Sequence, residues 1–200
     1  MITSAKYSLL FLLLLSVAVC GCSLKTPKAV YYTLNPIENI STQTMSSSPP
    51  SLAIGIGPVK FPSELDRPSI VTRTGQSRLV IDEFHRWGGS LEKNFLRVMA
   101  DNLSRLLNTD QVMIRPWEHY FQPEIRIIID IRQFDGRLDQ YAVLETTWVI
   151  HREGEEKGTV VHRSSLREPV AVGGYDALVA AQSRLIGKLS EHIAKVIVEI

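Results

Sequence analysis

Hydrophobic positions along this chain fall into three kinds of pattern. The first is a solid block: Leu9 to Leu15 is apolar throughout, and the run from Tyr7 to Val19 has no polar face at helical spacing. The second is alternation. Ile125, Ile127, Ile129 and Ile131 share one side of an extended segment, with Arg126, Asp130 and Arg132 on the other. From Tyr141 to Arg152, Ala142, Leu144, Trp148 and Ile150 alternate in the same way with Glu145, Thr147 and His151. Period two is the mark of a strand with one covered and one wetter face. The third is a stripe every three to four residues. Leu91, Phe95, Val98, Met99, Leu103, Leu106 and Leu107 form one, and Leu178, Val179, Leu185, Ile186, Leu189, Ile193, Val196 and Ile197 form another. These predict two long amphipathic helices, the first capped by Ser90 and ending near Asn108, the second running from Tyr175 to about Glu199.

Shorter segments complete the order. Tyr31-Tyr32-Thr33-Leu34 is a β-prone run stopped by Asn35-Pro36. Residues 41–51 read as a loop. Leu52 to Val59 predicts a strand whose second face carries the small Gly55 and Gly57, a setting for the close approach of a helix. Pro62 to Pro68 brackets a turn. Ile70–Thr74 and Arg78–Ile81 read as a hairpin. Val112–Arg115 is a strand stopped by Pro116, and Thr159–Leu166 is the return strand after the charged loop from Glu153 to Gly158. Two helical stripes can bury on one sheet face. The predicted fold is α/β: a two-layer sandwich with a mixed sheet of six or seven strands packed against two long amphipathic helices.

The apolar block is too short to cross a bilayer as a helix. With Lys6 before it and small residues after it, it reads as a secretory signal peptide. Its end, Val19-Cys20-Gly21-Cys22, is similar to the bacterial lipobox. Cleavage then falls between Gly21 and Cys22. Cys22 becomes the first residue, N-acylated and carrying an S-linked diacylglycerol, with palmitate the usual acyl group. Residues 1–21 are the leader, 22–30 a lipidated tether and 31–200 a single domain. Ser23, where an Asp favours inner-membrane retention in such proteins, implies the periplasmic face of the outer membrane.

Composition narrows the function. Lys and Arg number 22 against 21 Asp and Glu, a net charge of +1, so no nucleic-acid partner is expected. Both of the chain's two cysteines lie in the targeting segment, which leaves no thiol for a disulfide, a zinc site or a nucleophile. The five histidines have no ligand spacing, although His151 and His162 could meet across a hairpin. Gly55-Ile56-Gly57 is a lone G-x-G, Gly88-Gly89-Ser90 lacks the nucleophile-elbow pattern, and Asp82-Glu83 would point to opposite faces of a strand and solvate a turn. No catalytic residues, metal or cofactor are expected beyond the covalent lipid.

The segment from Pro58 to Val71, with Leu65-Asp66-Arg67-Pro68 at its centre, resembles the ABC-type transport auxiliary lipoproteins, the PqiC/YmbA-like family. Tyr31, Tyr32 and Leu34 at the start, and Trp87, Leu91, Arg97, Asn102 and Leu103 further on, continue the likeness. The resemblance implies a non-enzymatic, outer-membrane-anchored accessory subunit. Its partners would be an MCE-domain protein and inner-membrane transport subunits that move lipid and maintain envelope integrity. A homo-oligomeric ring would suit docking of a tubular partner. Leu65, Asp66, Arg67 and Trp87 are the candidate docking residues. Two alternatives stay open: Asp66 and Arg67 pairing locally while Leu65 packs inward, and Trp87 serving as core. For the whole protein, the alternatives are a lipoprotein cofactor of cell-wall or outer-membrane assembly, or a periplasmic hydrolase.

Overall fold

A computed structural model describes residues 27–38, 52–154 and 159–200. The leader, Cys22, the tether up to residue 26, the loop at 41–51 and most of the charged loop ahead of Thr159 lie outside them. Along the described chain the elements are β1 (Val30–Tyr32), β2 (Ile54–Lys60), a single 3-10 turn (Ser63–Leu65), β3 (Ser69–Arg73), β4 (Leu79–Trp87), α1 (Leu91–Leu107), β5 (Val112–Ile114), β6 (Ile125–Arg137), β7 (Tyr141–Arg152), β8 (Thr159–Pro169) and α2 (Gly174–Glu199).

One face of the larger sheet is the alternation made solid. Its order is β5-β2-β6-β7-β8, with β2 parallel to β5 and β6, and β6-β7-β8 antiparallel. Ile54 and Ile56, then Ile125, Ile127, Ile129 and Ile131 of β6, and Ala142, Leu144, Trp148 and Ile150 are buried with the stripes of both helices in one core. Thr146 sits within the inward row of β7, and its hydroxyl donates to the Asp130 carbonyl at 2.9 Å, which gives that buried polar atom a partner.

The strands divide differently from the expectation. Eight described strands form two sheets, not six or seven in one. The second sheet is β1-β4-β3, with β1 parallel to β4 and β3 antiparallel to it. The proline-bracketed turn after β2 redirects the chain, so the β3–β4 hairpin starts a sheet of its own. Arg73 at the end of β3 donates to Asp135 of β6 at 2.8 Å and ties the two sheets together. The small face of β2 also meets something other than a helix. The connection from β5 to β6 crosses it, and a Cβ on Gly55 would stand 2.9 Å from the Trp117 ring and 3.0 Å from Pro123. A loop fits because β5 and β6 flank β2 and must be joined across it.

Helix ends follow local chemistry in α1 and tertiary chemistry in α2. Ser90 accepts from the Lys93 amide at 3.3 Å, and Asn108 closes α1 in the left-handed conformation at φ 49°. Gly173 ahead of α2 has no side chain to cap with. Asp139, in the β6–β7 turn, accepts from the amides of both Gly173 and Gly174 at 3.0 Å. Those two amides hold its carboxyl below the ordinary carboxylate pKa.

Residues 33–37 lie extended between the two helices. The Leu34 amide donates to Asn94 at 2.7 Å, the Asn35 amide to Ser183 at 3.1 Å and the Ile37 amide to Asn102 at 2.9 Å. Arg105 donates to the Ile37 carbonyl at 2.9 Å. Successive residues thus meet Asn94 then Asn102 on α1, and Ser183 on α2, where Ile37 packs at Gly187; the helices run side by side in the same direction.

Two predictions follow from this packing. A Cβ on Gly187 would stand 2.6 Å from Ile37, so Gly187→Val overpacks the seam. The expected loss is about 2 kcal/mol in urea unfolding, and Ile37→Ala in the same chain should recover part of it. No recovery would place the strain elsewhere. Buried Glu168 of β8 pairs with Arg184 at 3.1 Å and with Lys188. Burial works against its ionisation, but the hydrogen bonds and charges of Lys188 and Arg184 outweigh it and lower its pKa from 4.5. That stabilisation is present above the ordinary glutamate value and is lost as pH falls through the lowered one. Glu168→Gln should therefore lower the melting temperature at neutral pH and shrink the difference from the parent chain in strong acid.

Candidate functional site

The turn after β2, the end of β4 and the start of α1 enclose a recess of ≈ 580 Å³. Local hydrogen bonds build its wall. The Leu65 amide donates to the Pro62 carbonyl at 2.9 Å, Asp66 to Ser63 at 3.3 Å and Arg67 to Leu65 at 2.9 Å. The Trp87 amide donates to Pro68 at 2.7 Å, which fastens the turn to β4, and the Gly88 amide donates to Tyr32 of β1 at 2.8 Å. Gly88 and Gly89 then let the chain enter α1 without side chains filling the space.

Leu65, Asp66, Arg67 and Trp87 all line this recess. Leu65 and Trp87 are each 5% exposed and form its floor with Leu91 and Phe61. Asp66 is exposed and Arg67 half-buried at the rim, beside Tyr31, Ser63, Ser90 and Glu92. The Arg67 Nε is buried and has no hydrogen-bond partner among the described residues. An apolar floor with a rim of both charges suits an apolar side chain flanked by polar groups. Cys22 and Gly21 lie outside the described residues.

The other sequence candidates disperse. His151 pairs in register with Thr159, and its Nδ1 lies 2.9 Å from the Thr159 hydroxyl. His162 is opposite Trp148 and stacks on its ring at 4.4 Å. The two imidazoles thus occupy different cross-strand pairs. Among the described residues, no group of three or more His, Cys, Asp or Glu is placed to hold a metal ion.

A cluster beside the recess was not foreseen. The register of β3 and β4 shifts between Ser69 and Val71, leaving residues 82–85 bulged. Inside the bulge one Asp82 oxygen accepts from the Phe84 amide at 2.8 Å and the His85 amide at 2.7 Å, with His85 Nδ1 at 2.9 Å. Its other oxygen accepts from the Tyr175 hydroxyl of α2 at 3.3 Å. His85 stacks on Tyr175 at 4.0 Å, and Tyr32 of β1 closes the group 6.2 Å from Tyr175. The sequence signal was available. An Asp with free amides two and three residues on makes a local turn and does not merely end a strand.

The group's electrostatics favour a charged Asp82 beside a neutral Tyr175. Partial burial opposes the Asp82 charge, but the bonds from His85 and Phe84 outweigh it and lower its pKa. Burial, followed by the Asp82 charge and hydrogen bond, pushes the Tyr175 phenol from 10.0 up to about 12. The folded state therefore prefers the neutral phenol. That preference is intact below pH 10.0 and is lost as pH rises toward about 12. Titration with base should show stability falling across this window, and Tyr175→Phe should flatten the fall. An unchanged alkaline profile in the variant would contradict this account.

The fold and its surroundings can be set against known proteins. Among curated proteins, none matches the sequence. One similar solved structure is that of an uncharacterized protein, with a TM-score of 0.69 and 19% identity, covering 86% of this chain and 99% of that one. Another is a Xanthomonas campestris protein assigned to DUF330, with a TM-score of 0.64 and 12% identity, covering 82% of this chain and 92% of that one. At such identities these two share the fold alone. The model of the family described as "ABC-type transport auxiliary lipoprotein component" matches residues 32–194, from the second tyrosine of β1 almost to the end of α2. By that match, which takes in both sheets, both helices and the recess, the chain belongs to the ABC-type transport auxiliary lipoprotein component family.

Proposed function

We propose that this protein is a periplasmic lipoprotein anchored in the outer membrane through Cys22, and a non-enzymatic accessory subunit of an MCE/ABC-type lipid transport system that maintains envelope integrity. The observation that carries the reading is the conjunction of the Val19-Cys20-Gly21-Cys22 lipobox with a transport-auxiliary domain beginning at residue 32. Several acyl chains on one cysteine hold a protein to a leaflet where one chain would not. None of the described helices is long and apolar enough to cross a membrane.

In this reading the recess receives a segment of the MCE-domain partner. An apolar side chain would fill the floor made by Leu65, Trp87 and Leu91, and Asp66 and Arg67 would pair with charges beside it. Rim charges of this kind select the partner and its register more than they add affinity. Ring assembly of several copies would place the recesses around a central axis.

Two measurements test the proposal. Metabolic labelling with palmitate should mark the wild-type chain and not Cys22→Ser. The labelled chain, purified with its detergent-solubilised membrane, should recover an MCE-domain protein, and Asp66→Lys with Arg67→Glu should cut that recovery by about tenfold. An unlabelled wild-type chain, or labelled chain with no such partner under conditions that retain known complexes, would sink it.

A further inference from the structure

The larger sheet ends in β8, an eleven-residue strand that pairs with β7 on one side and with no described strand on the other. Its register with β7 is unbroken from Thr159 to Pro169. The direction of its backbone groups follows from its last residues. The Val170 amide donates back to Gln140 at 3.1 Å, while the Pro169 carbonyl accepts from Arg184 of α2 at 3.3 Å. Backbone groups alternate along a strand. The even-numbered residues of β8 therefore bond to β7, and the amides and carbonyls of Val161, Arg163, Ser165 and Arg167 face away from the sheet. Pro169 falls in this outward set, where a strand tolerates a residue with no amide to donate.

The same four residues send their side chains to one face, opposite the helices, and all four are exposed. Val161 ends an apolar row that crosses the sheet through its register partner Val149 and, beyond it, Ile128. The Arg163 guanidinium has no ion-pair partner among the described residues. Arg167 lies over the Tyr141 ring at 3.8 Å, a stacking that leaves its nitrogens open to a carboxylate. Glu145 is the acid that β7 presents on this face, one strand in and opposite Ser165. On the helix side, Glu168 is already paired with Arg184 and Lys188. The edge is therefore cationic where it is open.

A bare edge of this length is a template for another strand. A second β8 fits it badly. Antiparallel pairing along the whole strand would put both copies of Arg163 and Arg167 on one face, with the two Arg163 side chains as diagonal neighbours. We propose that β8 is a strand-addition site for an extended acidic segment of another protein, with acids opposite Arg163 and Arg167 and an apolar residue opposite Val161. In this mode main-chain bonds supply affinity and alternate side chains supply selection. An antiparallel guest reads acid, polar, acid, apolar at every second position from its N-terminus. No residue of β8 lines the recess given to the MCE-domain partner, so the proposal stands apart from that reading.

The probe is a synthetic threonine peptide with glutamate, serine, glutamate and valine at successive alternate positions, beside a control with lysine for glutamate. Each is added to the full chain in detergent. By fluorescence anisotropy the glutamate peptide should bind at least about tenfold more tightly than the control, and Arg163→Glu with Arg167→Glu should reverse the preference. Hydrogen exchange separates strand addition from loose charge attraction: on binding, the amides of Val161, Arg163, Ser165 and Arg167 should exchange about tenfold more slowly. Ser165→Pro removes an outward donor and spares the β7 ladder, so it should abolish binding at a nearly unchanged melting temperature. Equal affinity for the two peptides, no binding, or binding without slowed exchange overturns the proposal. Slowed exchange at these amides that grows with concentration of the chain alone gives the edge to a second copy, and overturns it too.

Discussion

An extended segment cannot lie between two helices unless something replaces the ladder partners a strand would give it. Residues 33–37 meet that constraint with side chains. Asn94, Asn102 and Ser183 accept the amides, and Arg105 reaches the one carbonyl that faces it. Asn102 is fully buried and also reaches Ser190 at 3.4 Å, so a polar row runs through an otherwise apolar seam. An amide left unpaired there would cost about 1–3 kcal/mol, comparable to the burial of a whole aliphatic side chain. The seam therefore has one acceptable occupant in one register. The chain that leaves β1 is fastened to the core within a few residues.

That fastening organises one end of the molecule. β1 docks on β4, the Tyr32 carbonyl holds Gly88 at the start of α1, and the Tyr32 ring meets Tyr175 at the start of α2. Both helices thus start beside β1. The recess opens at this same end, between the turn after β2 and the glycines before α1. In the proposed function this is where the partner docks.

The elements most legible in the sequence were those whose period is sustained. The isoleucine row of β6, the alternating row of β7 and the two helical stripes lie where the patterns put them, and Ser90 caps α1 as its position implied. Legibility failed where a contact distant in sequence supplied the reason. β4 reads as ending at Ile81 because Asp82 and Glu83 interrupt its pattern. The strand in fact continues to Trp87 through a bulge held by Asp82. Gly55 signals a close approach but cannot say whether a helix or Trp117 makes it. The recess was half legible. The turn from Leu65 to Pro68 and Trp87 could be singled out, but their convergence depends on the hydrogen bond from Trp87 to Pro68.

The sequence by itself determined the apolar block with the Val19-Cys20-Gly21-Cys22 pattern behind it, the two helical faces, the alternating strands and the confinement of both cysteines to residues 20 and 22. These are local: they follow from spacing along one element and from residue type. Only the tertiary structure decided that the strands split into sheets of three and five, that Asp139 would cap a helix thirty-five residues further on, and that Asn94, Asn102, Ser183 and Gly187 would seat another segment. A polar or missing side chain on a helix looks the same from the sequence whether it faces water or a buried backbone. Only the assembled packing supplies the partner that tells the two apart.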